Sequence, residues 1–159
     1  MTDHQERAVV KRELNQLMDA FFRAVSFAQG ERPHYDDIYR LFIEAGLLIK
    51  SSTATPEIAN VAQFIEPRHA TVRSGELTSF REVELSENTE IFGNVAQRFS
   101  AYAKSGITNG VPFAARGMIA TQFIRTPAGW KMSAMAWDDE RPGLTLPAHE
   151  PAAESQPLV

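Results

Sequence analysis

The first part of the chain carries a repeating pattern of apolar side chains. From about residue 5 to residue 28 they recur every three or four positions, which places them on one face of an α-helix. The members of this stripe are Val10, Leu14, Leu17, Met18, Phe21, Phe22 and Val25. Gly30 and Pro33 then interrupt the pattern. Because glycine and proline end helices, the pattern predicts one long N-terminal helix.

Three shorter elements follow this helix. The acidic pair Asp36-Asp37 suits the start of a short helix, and the apolar run of residues 46 to 50 favours a strand. Thr55-Pro56 has the form of a helix cap followed by proline at the first helical position. We therefore predict a further helix from Thr55, which Pro67 should end or kink within a turn.

The second half of the chain alternates in the manner of β-strands. Residues 80 to 87 and 90 to 104 each alternate with a period of two, and residues 105 to 112 form a turn region. Two long apolar runs between residues 113 and 139 are separated by the turn formers of residues 126 to 129. This pattern predicts a meander of four or five antiparallel strands that ends in a hairpin.

Composition limits the number of domains and the partners. A chain of 159 residues with 43% hydrophobic content fits one domain, which we place at residues 1 to 140, followed by a flexible tail rich in proline and alanine at residues 141 to 159. The net charge of -4 gives no general attraction to nucleic acid. A polar N-terminus and the lack of a long apolar run predict a cytoplasmic protein with no membrane partner.

The order of the elements resembles a known superfamily. The helix that carries Phe21-Phe22, and the Gly129-Trp130-Lys131-Met132 turn before the last strand, are similar to the nuclear transport factor 2-like superfamily and, within it, the SnoaL-like group. The resemblance covers about residues 5 to 140. It implies an α+β, cystatin-like fold in which a curved antiparallel sheet wraps around the long helix as a cone. It also implies an interior pocket and a homodimer formed through the sheet.

That resemblance does not select a reaction, since the superfamily includes isomerases, dehydratases, cyclases, epoxide hydrolases and non-catalytic association modules. Ketosteroid isomerases in it use an aspartate near the first strand, but residues 47 to 51 contain no carboxylate. SnoaL-type cyclases commonly use a histidine on a late strand, but neither strand of the predicted final hairpin contains one. No catalytic set of the superfamily transfers cleanly to this sequence.

Three residues are candidates for chemistry. His69 follows Pro67 near the end of the predicted helix, and its imidazole could transfer protons. Arg98 alternates with small residues and could hold an anionic group, with Glu84 or Glu82 beside it. The alternatives are a surface or structural role for His69 and a cross-strand ion pair for Arg98.

Aromatic residues provide candidates for the pocket wall. We expect a ligand to contact some of Phe22, Tyr39, Phe42, Phe64 and Trp137, although aromatic residues at helical spacing usually belong to the core. Asp138 and Asp139 are adjacent on a strand, so they point to opposite sides and we predict no metal site and no cofactor. The sequence thus favours a protein that binds a small, largely apolar molecule, with cofactor-independent lyase or isomerase chemistry as an extension. The alternative is a non-catalytic dimerisation or association module.

Overall fold

A long helix packs against one face of a six-stranded sheet in the computed structural model, which describes residues 2 to 147. The helices are α1 (Asp3–Val25), a 3₁₀ helix (Tyr35–Arg40) and α2 (Val61–Arg73). The strands are β1 (Phe42–Lys50), β2 (Glu57–Asn60), β3 (Leu77–Phe92), β4 (Val95–Thr108), β5 (Val111–Thr126) and β6 (Gly129–Asp139). Their order in the curved sheet is β2-β1-β6-β5-β4-β3. The predicted α+β, cystatin-like architecture is confirmed.

The predicted N-terminal helix is also confirmed. It begins after Thr2, whose hydroxyl accepts a hydrogen bond from the backbone N–H of Gln5, while the Gln5 side-chain oxygen accepts one from the backbone N–H of Thr2. This reciprocal capping box satisfies backbone groups that the first turn leaves free. The apolar stripe of α1 is buried against the sheet, and Leu14 and Met18 are fully inaccessible to solvent.

The helix predicted to start at Thr55 starts later, so that prediction was wrong. Residues 57 to 60 form β2, which pairs with β1, and α2 begins only after Asn60. Asn60 and Gln63 form a second capping box, and this signal outweighs that of Thr55-Pro56. Pro67 lies inside α2 and does not end it. Loss of one backbone hydrogen bond at Pro67 is tolerated because Phe64 and Ile65, in the preceding turn, are buried in the core.

The predicted strand over residues 90 to 104 was also wrong. A turn at Gly93-Asn94 divides it, so that β3 and β4 pair as a long antiparallel hairpin. Gly93 has a φ of +56°, which glycine adopts without strain. Alternation could not locate this turn, since the period of two continues on both sides of it. The sheet has six strands rather than four or five, and it is mixed because β1 lies parallel to β6.

The chain continues beyond β6 as a short folded segment. Arg141 and Leu144 form an isolated antiparallel bridge, and the backbone of Leu146 donates a hydrogen bond to Glu140. This part of the predicted flexible tail is therefore held against the domain, while residues 148 to 159 lie outside the described residues. Neither α1 nor α2 is long and apolar enough to cross a membrane.

Candidate functional site

The interior of the fold contains a cavity of about 200 Å³ between the helices and the concave face of the sheet. Its more buried wall is apolar, because it consists of core side chains from α1, α2 and the central strands. These are Phe21, Val25, Phe64, Ile119 and Met135. Its more accessible side is formed by Leu77, Phe80, Phe113 and Trp137. The cavity is thus largely apolar and has room for a molecule about the size of benzene.

Polar and charged side chains from five elements also line this cavity. They are Tyr35 of the 3₁₀ helix, Lys50 of β1, Arg68 of α2, Glu82 of β3 and Lys104 of β4. The chain that leaves α1 helps to place Glu82, because Phe27 pairs with Phe80 through two backbone hydrogen bonds of 2.8 and 3.0 Å. The Ser26 hydroxyl then accepts a hydrogen bond from the Glu82 backbone. These contacts hold β3 against the end of α1.

Glu82 has an unusual environment for a carboxylate. It is the register partner of Lys104 across β3 and β4, yet within residues 2 to 147 no cation lies within 4.0 Å of its carboxylate. Burial in the cavity wall raises the pKa of Glu82 to about 7, against the opposing charges of Lys104 and Arg68, while Asp139 adds to the rise. At neutral pH this group therefore exchanges between its charged and neutral forms.

Among the cavity's cations, Arg68 is the one that has no acidic partner within residues 2 to 147. Its guanidinium lies 3.6 Å from the centre of the Phe64 ring and donates a 3.0 Å hydrogen bond to the Phe64 carbonyl. No carboxylate of the described chain is within 4.0 Å of it. Burial lowers the pKa of Arg68, although the charges of Tyr35, Glu57 and Glu82 oppose this. Its remaining donors are available to a bound molecule.

Lys104, in contrast, is already paired. Its ammonium lies 3.0 Å from the Asp139 carboxylate, which is also hydrogen-bonded to the fully buried Tyr102 hydroxyl. Burial, and then Asp139, raise the pKa of Tyr102. Asp139 therefore contacts β4, and its side chain is only 24% exposed. The resulting Tyr102-Asp139-Lys104 cluster fixes the ammonium at the cavity edge.

The structure places the predicted pair Arg98 and Glu84 elsewhere. Their side chains form a two-pronged ion pair with N–O distances of 2.7 and 3.1 Å. Asn15 of α1 accepts a further 2.6 Å hydrogen bond from Arg98, and Ser100 donates one of 2.6 Å to Glu84. Arg98 is only 4% exposed and does not line the cavity. The expectation that the pair faces the ligand is not met, since its hydrogen bonds hold α1 to the sheet.

His69 also lies outside the cavity lining. Its Nε2 atom is 3.0 Å from the carboxylate of Asp36, and its ring packs edge-on against Tyr35 with centroids 5.2 Å apart. The side chain is on the face of α2 that contacts the 3₁₀ helix, while Arg68, one residue earlier, faces the cavity. This geometry agrees with a structural role for His69, which was the alternative to proton transfer.

The predicted aromatic wall divides into three groups. Phe64 and Trp137 line the cavity and contact each other at right angles, with ring centroids 6.0 Å apart. Phe22 and Phe42 are buried in the core and do not line the cavity. Tyr39 is 45% exposed and is not part of the cavity wall, because the 3₁₀ helix turns it outward.

Sequence reasoning did not select the polar residues that do line the cavity. The sequence pattern indicated Glu82 only as a partner of Arg98. It indicated no ligand-binding role for Arg68 or Lys104. One signal was present for Lys104, since it continues the inward alternation of Arg98, Ser100 and Tyr102 along β4. The position of Arg68 could not be predicted because Pro67 was expected to end or kink the helix. In the structure α2 continues past Pro67 to Arg73.

Comparison with solved structures identifies proteins of similar shape. A nuclear transport factor 2-like superfamily protein from Salmonella enterica superposes with a TM-score of 0.70 at 15% identity, covering 93% of this chain and 98% of that one. A protein with a cystatin-like fold from Novosphingobium aromaticivorans gives a TM-score of 0.65 at 16% identity, covering 96% and 91%. A candidate calcium/calmodulin-dependent protein kinase II association domain from Xanthomonas campestris gives 0.62 at 11% identity, covering 81% and 86%.

No family model matches this chain, and no curated protein sequence does. Identities of this size between similar structures show a shared fold and do not transfer an activity.

Proposed function

Since the chain has the nuclear transport factor 2-like fold, we propose that it binds a small, largely apolar molecule in its interior cavity. The observation that carries this proposal is the combination of an apolar wall with charged groups that have no ion-pair partner among residues 2 to 147. Glu82 and Arg68 each face the cavity without an ion pair in the described chain. Unpaired polar groups in a sheltered site are costly unless water or a ligand satisfies them. Assignment to the SnoaL-like group stays a prediction.

Glu82 is the residue we propose for proton transfer. A general acid or base works best when its pKa is close to the operating pH, and burial gives Glu82 a pKa of about 7. The carboxyl group lies in the same cavity as the apolar wall that would hold a substrate. Cofactor-independent lyase or isomerase chemistry would therefore depend on Glu82, rather than on His69 or Arg98.

The methionines of the chain provide a direct test of binding. Met135 lines the cavity, whereas Met118 lines a groove on the opposite face of the sheet. We expect benzamide, a single-ring neutral probe, to shift the methyl NMR signal of Met135 and to leave that of Met118 in place. A shift confined to Met118, or no shift at either methyl, would contradict the proposal. Replacing Val25 with Phe fills the cavity and should abolish the shift at Met135.

A second candidate function is association with another copy of the chain through the outer face of the sheet. On this face, which points away from α1, Phe99 lies in register with Ala120 of β5 and Ala136 of β6. Phe99 is 53% exposed and borders a groove of about 600 Å³. A two-fold symmetric partner can place each Phe99 against the small alanines of the other copy, and no charge stands in this row. The similarity to a candidate kinase association domain agrees with such a role.

The oligomeric state tests this second candidate. We expect the protein to sediment as a dimer and Phe99→Glu to be a folded monomer, because the new charge would be buried in the contact. Val111→Glu is the matched control, since Val111 is 64% exposed but lies outside the groove. A monomeric parent protein, or a Phe99→Glu variant that stays dimeric, would contradict this candidate.

A further inference from the structure

We infer that the ligand of the interior cavity is a compact apolar carboxylate, of about the size of one aromatic ring, whose acidic group binds Arg68. This inference rests on the proposed ligand-binding function and specifies the chemical class of the ligand. It is carried by the arrangement of charges around the cavity, by the free donors of Arg68 and by the size of the apolar space.

The charges around the cavity favour an anion. Among the described residues, three cations line it, Lys50, Arg68 and Lys104, against the single carboxylate of Glu82. Lys104 is paired with Asp139, and Lys50 lies 3.9 Å from Glu57 at the protein surface. Arg68 is the remaining cation, and the Phe64 carbonyl occupies only one of its donors in the described structure. A guanidinium binds a carboxylate through two parallel hydrogen bonds, so Arg68 is suited to this group.

The position of Arg68 also favours a ligand that carries a ring. Its guanidinium stacks on Phe64, which in turn contacts Trp137 edge-on. A carboxylate bound to Arg68 therefore has aromatic and aliphatic side chains beside it rather than water. An apolar cavity of about 150 Å³ can bind benzene. A space of about 200 Å³ thus fits one ring with a small acidic substituent.

Glu82 makes the binding of such an anion depend on pH. It is faced by Arg68 from α2, Lys104 from β4 and Asp139 from β6, with the uncharged Ser26 hydroxyl at its backbone. Lys50 of β1 and Tyr35 of the 3₁₀ helix line the same cavity. When Glu82 is protonated, the nearby cations can interact with the ligand's carboxylate. When Glu82 is ionised, it repels that carboxylate and competes with it for the charge of Arg68.

The test compares benzoate with benzamide, which has nearly the same shape but no charge, by titration calorimetry on the full chain. At pH 5.5 we expect benzoate to bind roughly ten-fold more tightly than benzamide, given the strength of hydrogen bonds between charged groups. Benzoate affinity should fall about ten-fold between pH 5.5 and pH 8.5, while benzamide affinity stays constant. The Glu82→Gln variant should keep tight benzoate binding at both pH values.

Variants at Arg68 separate this inference from the proposed function. Arg68→Met should remove the preference for benzoate, because it lowers benzoate affinity far more than benzamide affinity, and Arg68→Lys should restore part of the preference, because it restores the charge without the paired donors. Equal affinities of the two probes in the parent protein, unaffected by Arg68→Met, would overturn the inference and leave the apolar binding site standing. Failure of both probes to bind would overturn the inference and the proposed function together.

Discussion

The side chain of Tyr102 crosses directly over Gly117 on the neighbouring strand. The two residues are register partners, and the Tyr102 hydroxyl donates a 3.1 Å hydrogen bond to the carbonyl of Asp138. A Cβ atom at position 117 would overlap both that hydroxyl and the Asp138 carbonyl. Glycine at this position thus allows Tyr102 to reach the last strand and to anchor Asp139 and Lys104 at the cavity edge.

Replacing Gly117 with Ala should destabilise the protein by about 1–3 kcal/mol, since neither the buried ring nor the backbone can move freely away. Chemical denaturation measures this loss. In a Tyr102→Phe background the penalty should be smaller but still present, because the overlap with the Asp138 carbonyl remains. An unchanged free energy of unfolding for Gly117→Ala would show that Tyr102 is not tightly packed against position 117.

The buried pair of Arg98 and Glu84 should contribute to stability and not to ligand binding. Arg98→Met leaves Glu84 buried without its partner, which should cost about 3–5 kcal/mol. The double variant Arg98→Met/Glu84→Gln should recover part of this loss, since no lone charge stays behind. Benzamide should bind each folded variant as it binds the parent. A selective loss of binding with normal stability would instead return Arg98 to the ligand site.

Glu82 should make the protein less stable as the pH rises. Its pKa is about 7 in the folded state against an ordinary value of 4.5, so the folded chain retains a proton that the unfolded chain releases. The free energy of unfolding should therefore fall between pH 4.5 and pH 7, by at most about 3 kcal/mol, and then level off. Glu82→Gln should remove this slope in urea denaturation, and a slope that persists would contradict the assignment.

Glu87 is the matched control for that experiment. Burial acts to raise the pKa of Glu87, but hydrogen bonds from Lys11 and Thr89 outweigh it and the pKa is lowered. Its contribution to stability is therefore present above its ordinary pKa and is lost as the pH falls. Glu87→Gln should change the acid side of the stability profile and leave the decline between pH 4.5 and pH 7 in place.

His69 should prove dispensable for binding. Its contact with Asp36 lies between α2 and the 3₁₀ helix, away from the cavity, and the Asp36 side chain is 79% exposed. His69→Gln should change the free energy of unfolding by less than about 1 kcal/mol, as is usual for exposed pairs. Calorimetric titration with benzamide should give the affinity of the parent protein, and a large loss of affinity would contradict the position of the histidine outside the site.

The sequence predicted the fold better than the site. The long stripe of α1 and the turn formers at residues 126 to 129 are local signals, and they located the first helix and the last hairpin. The division of β3 from β4 at Gly93 could not be read from alternation, because both strands share a period of two. The capping box at Asn60 and Gln63 is present in the sequence, but the predicted helix start rested on Thr55-Pro56 instead.

The site was harder because it depends on contacts between residues distant in sequence. Glu82 and Glu84 point to the same side of β3, but a register shift between Glu84 and Ser86 alters the pairing beyond them. Glu84 forms an ion pair with Arg98, whereas Glu82 faces the cavity without an ion pair among residues 2 to 147. Only the sheet register and the position of α2 distinguish these two glutamates. No local pattern in the sequence carries that information.

A crystal soaked with 4-bromobenzamide would show whether the interior cavity is a ligand site. The bromine atom can be located by its anomalous scattering without assumptions about the pose. We expect a bromine peak inside the cavity, among Phe64, Ile119 and Trp137. Bromine peaks found only on the outer face of the sheet, beside Phe99, with the cavity holding water alone, would contradict this expectation.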